Sequence, residues 1–263
     1  MDPVILTIEG PIATVTLNRP AALNALSWEM NEALVEISTR LEHDTVIRCV
    51  VIQGAGDHFM AGGDVKGFSE GPTDPQERRK LFEHGISQTH SIITRLRRMP
   101  KPVIASVKGA VAGFGISLMS ACDLVIAADS SYFTLAYCHI GTSPDGGSTY
   151  ALPRTVGVKQ AMEIALLGDR FDATRALELG LINRVVPVVE LEGMTTKLAA
   201  RLAKGPTAVY GRTKNLINQS LNRTLPEQLQ AEQDNFVASA LDADFSEGIR
   251  AFVEKRKPNF LGH

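Results

Sequence analysis

Three stretches of this sequence hold residue types at spacings that suggest chemistry. Ala61-Gly62-Gly63-Asp64-Val65-Lys66 comes shortly after an apolar run, and Gly109-Ala110-Val111-Ala112-Gly113-Phe114-Gly115 follows another and opens a helix. Glycine lets a backbone approach a ligand with no Cβ in the way, and the free N–H groups at a helix start favour negative charge. Either turn taken alone is equally a tight bend. Nucleotide phosphate is a poor fit, because Gly113-Phe114-Gly115 lacks the three spaced glycines and later acid of a dinucleotide site, and no P-loop signature occurs. The third stretch is Ser143-Pro144-Asp145-Gly146-Gly147-Ser148. Pro-Asp-Gly is a turn signature, and Asp or Ser can cap a following helix, yet a carboxylate here is also a candidate acid–base group. His90 sits in a helical run, where a histidine is most often a solvated or hydrogen-bonded bystander. His58 and His139 have no further ligands at metal-binding spacing, and neither Ser117 nor Ser148 lies in a G-x-S-x-G elbow.

The elements that must position these residues alternate along the chain. Val4 to Ile8 and Ala13 to Leu17 read as a hairpin turning at Glu9-Gly10-Pro11. Trp28, Met30, Leu34, Ile37 and Leu41 keep roughly helical spacing behind a Ser27 cap, and Cys49 to Ile52 reads as a buried strand ending at Gly54. A helix over about 76–98, a strand over 103–107, a helix near 116–121 and a strand over 124–127 repeat the pattern, which predicts a layered α/β core. After Pro187 the strands cease. Leu191 to Leu221 and Leu225 to Lys257 read as helical with a break at Gly205-Pro206. The expected division is an α/β core over 1–195 and a helical region over 196–263.

The bulk numbers narrow the function classes. With 263 residues, 44% hydrophobic and 21% charged, the chain suits one large core with an appendage. Its 27 Lys and Arg against 29 Asp and Glu are scattered, which argues against nucleic acid and against an anionic membrane surface. Cys49, Cys122 and Cys138 form no CxxC pair and are odd in number, so reduced thiols are expected. The first residues lack a basic segment before a long apolar stretch, and the longest uncharged apolar run, Gly109 to Cys122, is too short and glycine-rich to span a bilayer. A cytoplasmic protein is expected.

Taken in order, several motifs resemble the enoyl-CoA hydratase/isomerase (crotonase) superfamily. They are Asn18-Arg19-Pro20 with Asn24-Ala25-Leu26, Ala61 to Asp64, Lys101-Pro102-Val103-Ile104-Ala105 running into Gly109 to Gly115, Cys122 to Ala127, Leu152 to Gly157 and Ala176 to Ile182. The likeness covers nearly the whole chain. It implies a ClpP/crotonase-like α/β fold, a superhelix of repeated ββα units, whose C-terminal helices assemble a homotrimer or a dimer of trimers. It implies an acyl-CoA thioester substrate with no cofactor besides the coenzyme A it carries. The backbone N–H groups of Gly63 and Phe114 would form an oxyanion hole for the thioester carbonyl, and two donors aimed at an oxygen that gains charge stabilise an enolate. Ala22, Leu23 and Leu26 would line the CoA groove with Ala61, Gly62, Asp64, Val65 and Lys66, and Lys255 would reach the CoA phosphates of a neighbouring subunit. Many relatives have glycine where this chain has Phe114; the donor is unaffected, and the ring either narrows the acyl pocket or fills the core.

Typical hydratases of the superfamily carry two glutamates, and the matching positions here are Ser117 and Tyr137. Water addition uses both carboxylates, so hydration is not expected to be efficient. Asp145 remains, and this region is similar to epoxyphenylacetyl-CoA isomerases and some enoyl-CoA isomerases. One carboxylate between the α and γ carbons is enough for double-bond migration, helped by burial among apolar side chains, with Tyr137 in the pocket to orient the acyl group. Chlorobenzoyl-CoA dehalogenases offer a second resemblance, with Asp145 as nucleophile and His90 activating water. A catalytically silent CoA-binding protein is a third reading, favoured by the missing glutamates and opposed by Asp145.

Overall fold

The computed structural model describes residues 2–263. The chain opens with the hairpin β1 (Val4–Glu9) and β2 (Ile12–Leu17), then α1 (Trp28–His43), β3 (Cys49–Gly54), the short α2 (Val65–Ser69) and the long α3 (Pro75–Arg98). Next come β4 (Val103–Val107), β5 (Ala110–Ala112), α4 (Phe114–Ser120), β6 (Leu124–Ala128) and β7 (Tyr132–Thr134). After a loop follow α5 (Ser148–Thr155), α6 (Gly157–Leu167), β8 (Phe171–Asp172), α7 (Ala173–Glu178) and β9 (Arg184–Val186). Helices α8 (Leu191–Ala203), α9 (Thr207–Ser220), α10 (Leu225–Ala240) and α11 (Ala243–Val253) complete the chain.

Six strands form one sheet in the order β1-β2-β3-β4-β6-β9, parallel from β2 onward, and β5-β7-β8 form a second, smaller sheet. The apolar runs of β3, β4 and β6 are continuous rather than alternating because both faces of the large sheet are covered. Val50 and Ile52, Val103 and Ala105, Val125 and Ala127 point into the main core, while Cys49, Val51 and Ile104 pack under Ala199 and Ala203 of α8. Ile126 and Ala128 meet Leu191 from the same helix. α8 therefore belongs to the core. The boundary expected near 195 falls inside it, and the chain breaks instead at Lys204 to Pro206, where α8 gives way to α9.

The second sheet was not expected from sequence. Its strands are two or three residues long, below the length at which alternation can be read. It matters because β5 runs directly into the second glycine turn, and the N–H of Gly113 is held by the carbonyl of Thr134 in β7 at 2.9 Å. α9 is pinned to the core by Lys214, whose ammonium donates to the Leu96 carbonyl and to Asp123, each within 2.8 Å. The expected helix over 225–257 is two helices divided at Leu241 and Asp242. α10 buries none of its residues against this chain, and Phe236, Leu241 and Phe252 are exposed. No helix among the described residues is long and apolar enough to cross a membrane.

Candidate active site

The two glycine turns are pressed against each other. Leu26 bridges the first, accepting from Asp64 N–H at 3.0 Å and donating to the Gly62 carbonyl at 2.8 Å. In such a parallel bridge the middle residue, Gly63, aims its own N–H to the other side. Met60 bridges the second turn through Ala110 and Ala112 in the same way. Gly113 has φ +49° and ψ −119°, a conformation open to glycine, and a methyl group there would stand 3.3 Å from the Gly62 Cα. Phe114 is the first residue of α4, so its N–H has no acceptor within the helix. Among the described residues, neither the Gly63 nor the Phe114 N–H meets a protein acceptor, whereas those of Ala61, Asp64, Val65 and Gly113 all do.

Both turns open on a cavity of about 630 Å³ lined in part by Leu26, Ala61, Gly63, Val65, Phe114, Tyr137 and Asp145, with His90 on its rim from α3. Seven of the expected site residues thus share one space. Asp145 is the only carboxylate among the described residues that line it. Its two readings, turn and acid–base group, are divided between backbone and side chain. The Asp145 carbonyl accepts from the Ser117 hydroxyl at 2.9 Å and from Ser148 N–H at 3.4 Å, which makes the turn. α5 begins without a side-chain cap, so the carboxylate is free of that duty and accepts a hydrogen bond from the Tyr137 hydroxyl. Burial, and after it the Asp145 charge, push the Tyr137 phenol well above its ordinary range, so it stays a protonated donor. Ser117, expected only as the site of a missing glutamate, and Tyr137, expected in the pocket to orient the acyl group, both hold Asp145, with the Ser148 hydroxyl donating to its carbonyl at 3.3 Å.

The Phe114 ring is 2% exposed and belongs to the main core, with its edge beneath Gly146. It fills the core and seats the Asp145 loop as well as bordering the cavity.

The remaining expected residues do not line the cavity, for reasons their contacts make plain. Asp64 is committed to Arg19 at 2.7 Å and caps α2 through Gly67 N–H at 3.2 Å. Burial opposes its ionisation, but these partners outweigh it and hold the carboxyl below the usual range. Gly62 is buried under the second turn, and Lys66 is exposed on α2. Ala22 and Leu23 lie behind the first turn, where the Leu23 carbonyl accepts from Ala61 N–H at 3.0 Å. Lys255 is exposed beyond α11. Ala22, Leu23, Gly62 and Asp64 shape the first turn, while Lys66 and Lys255 stand exposed outside the cavity.

Sequence reasoning missed an aromatic wall made by Trp28, Phe68 and Phe82. One signal was available. Gly85 sits in the middle of the 24-residue α3, where glycine costs roughly 0.5–1 kcal/mol relative to alanine, and a Cβ there would fall 2.1 Å from Cζ3 of Trp28. Gly85→Ala should therefore lower stability by about 1–3 kcal/mol through overpacking, despite the better helix propensity. A drop in Tm with a shift in emission of the sole tryptophan checks this, and a rise in Tm would show that the ring simply moves aside.

The chain matches known proteins along its length in both sequence and fold. The model of the enoyl-CoA hydratase/isomerase family matches residues 7–263. The chain belongs to the enoyl-CoA hydratase/isomerase family. It is 38% identical over 262 residues to the 1,2-epoxyphenylacetyl-CoA isomerase of Escherichia coli K12, covering 100% of this chain and 99% of that protein. It is also 38% identical over 256 residues, covering 97% and 96%, to a "probable enoyl-CoA hydratase" of Rhodobacter capsulatus. The crystal structure of an enoyl-CoA hydratase from Polaromonas sp. JS666 superposes with a TM-score of 0.92 at 36% identity, over 98% of this chain and 99% of that one. The fold is thus the crotonase fold, and the chain is an acyl-CoA enzyme of this family. Two relatives at equal identity bear different reaction names, so the choice of reaction rests on the geometry of the site.

Proposed function

We propose that this enzyme moves the double bond of an unsaturated acyl-CoA thioester, shuttling a proton between the α and γ carbons through an enolate. The observation that carries this reading is Asp145, the one carboxylate among the described residues that line the cavity, sharing it with Gly63 and Phe114, whose N–H groups have no protein acceptor. Addition of water in this family calls on two carboxylates, and Ser117 and Tyr137 stand where they would be. A 1,3-proton transfer needs one group that removes a proton and returns it. Gly63 and Phe114 N–H would hold the thioester oxygen as charge develops on it, Asp145 would carry the proton, and Tyr137 would fix its carboxylate. Leu26, Ala61 and Val65 would border the CoA portion, and no cofactor beyond the coenzyme A of the substrate takes part. Turnover of 3-enoyl-CoA in deuterated water tests the reading. A 2-enoyl product labelled at the γ carbon is expected, whereas inert 3-enoyl-CoA together with a 3-hydroxyacyl product from 2-enoyl-CoA would establish a hydratase, and no change in either thioester a silent binder.

Tyr137→Phe removes the donor to Asp145. A hydrogen bond to a charged group is worth about 1.5–3 kcal/mol, so kcat should fall roughly 10- to 100-fold with KM little altered. In an alkaline spectrophotometric titration, a phenol resistant to deprotonation should be present in the parent chain and missing from the variant. Unchanged kcat would reduce Tyr137 to cavity lining.

The presence of His90 on the same cavity as Asp145 favours a second reading, a hydrolytic dehalogenation in which Asp145 attacks an aryl carbon. Halide release from 4-chlorobenzoyl-CoA, lost in His90→Gln, would establish it. The exposed apolar residues of α10 and α11 would be covered by further copies in a homotrimer or dimer of trimers, bringing Lys255 toward a neighbour's CoA phosphates.

A further inference from the structure

The aromatic wall of the cavity is built, not incidental. Trp28 from α1, Phe68 from α2 and Phe82 from α3 meet pairwise with centroids 6.0, 6.1 and 5.3 Å apart and planes inclined at 48°, 65° and 70°. All three are half-buried and border the cavity, so each keeps part of its ring open to it. Backbone has been cleared to seat two of them, since a Cβ would fall 2.1 Å from Trp28 at Gly85 and 2.7 Å from Phe68 at Gly63. Because Phe68 packs on Gly63, the wall begins beside one of the two unpaired N–H groups. The polar side chains behind it are satisfied among themselves. The Asn31 amide donates to the Gly85 carbonyl at 3.0 Å, and the single Thr89 hydroxyl proton is shared between that carbonyl at 2.9 Å and the Asn31 oxygen at 3.1 Å.

We infer that the acyl group taken by this enzyme carries a ring, aryl or unsaturated carbocyclic, in preference to a linear chain. The inference rests on reading the cavity as an acyl-CoA site. Aromatic rings gain from edge-to-face and offset contacts at about 4.5–7 Å beyond the area they bury, and this wall offers three such partners at differing inclinations. A linear chain finds only apolar area there and loses several freely rotating bonds on binding, where a ring loses few. The Asn31 and Thr89 side chains behind the wall are engaged with each other and with the Gly85 carbonyl, so the wall itself presents rings rather than polar groups to the acyl end.

The test compares 3-phenylpropanoyl-CoA with nonanoyl-CoA, which have equal numbers of acyl carbons and no double bond to move. Calorimetry reads the two affinities, and Trp28, the only tryptophan of the chain, reports contact with the wall by its emission. The aryl thioester is expected to bind about ten-fold tighter and to change the emission more. Phe82→Leu should reduce the preference to about two-fold or less, a ratio in which contacts shared by both ligands cancel. If that variant fails to fold, Phe68→Leu serves in its place. Equal or tighter binding of nonanoyl-CoA, or a preference that survives loss of the rings, would overturn the inference. A ring preference without migration of any 3-enoyl double bond would support the inference and remove the isomerase, migration without a ring preference would do the reverse, and failure of both thioesters to bind would overturn both.

Discussion

Asp145→Asn is expected to lower kcat for double-bond migration by about a hundred- to ten-thousand-fold, the range general acid–base groups contribute. The structure makes this a clean substitution. An asparagine oxygen still accepts from the Tyr137 hydroxyl, and the turn depends on the Asp145 carbonyl with Ser117 and Ser148, which the change does not touch. Folding and thioester binding should survive while proton transfer fails. Two measurements separate these: binding of a saturated acyl-CoA by calorimetry, and appearance of the conjugated 2-enoyl thioester by absorbance. Exchange of α-hydrogen into deuterated water should fall in step with turnover, since the same carboxylate would take that proton. Asp145→Asn with parental kcat would mean that the residue is only the corner of a turn, and another group in the cavity, His90 first, would have to carry the proton.

The residues in this prediction were not equally legible in the sequence. The strand and helix pattern of the large sheet was, because β3, β4 and β6 are largely apolar, broken only by Gln53 near the end of β3 and Ser106 in β4, and α1 carries its own cap at Ser27. Asp145, Gly63 and Phe114 were legible as candidates through the order of motifs along the whole chain, since each glycine turn alone reads equally as a tight bend and Pro-Asp-Gly as a plain turn. What could not be read is how backbone and side chain divide the work. Pro-Asp-Gly predicts a turn, and the turn is there, made by a carbonyl that leaves the carboxylate free. Ser117 signals only an absence until the fold brings it against the Asp145 carbonyl, 28 residues on, and Tyr137, eight residues before Asp145, meets its carboxylate only because the intervening loop turns back. Asp64 shows the converse. Its place in the glycine turn suggested a ligand-facing role, but Arg19, 45 residues away in sequence, neutralises it. Trp28 fits the apolar stripe of α1 by spacing, and only the approach of α2 and α3 reveals that it faces a cavity while Met30, Leu34 and Leu41 face the core.

A second large effect is expected from one backbone atom. Replacing the Phe114 residue by its α-hydroxy analogue turns the amide N–H into an ester oxygen and leaves the ring in place. Loss of one oxyanion donor costs about 3 kcal/mol of transition-state stabilisation, so kcat should fall roughly 100- to 1,000-fold. Proline would remove the same N–H but also the ring, which is 2% exposed and seats Gly146. Deleting such a ring costs about 3–5 kcal/mol and would unsettle Asp145, confusing two causes. The ester avoids this. As the first residue of α4, Phe114 gives its N–H to no protein group, so folding loses no donor there, and the weaker ester carbonyl of Gly113, which accepts from Ile116 N–H at 3.0 Å, should lower Tm only slightly. An ester one residue earlier supplies the contrast. The Gly113 N–H donates to the Thr134 carbonyl at 2.9 Å, and its loss should cost roughly 0.5–1.5 kcal/mol of stability with a much smaller effect on turnover. Because the thioester oxygen carries more charge in the enolate than in the bound substrate, the deficit at position 114 should fall on kcat and leave KM nearly alone. A rise in KM at constant kcat would instead mean that this N–H holds substrate and enolate equally, and the charge would have to be stabilised elsewhere in the cavity.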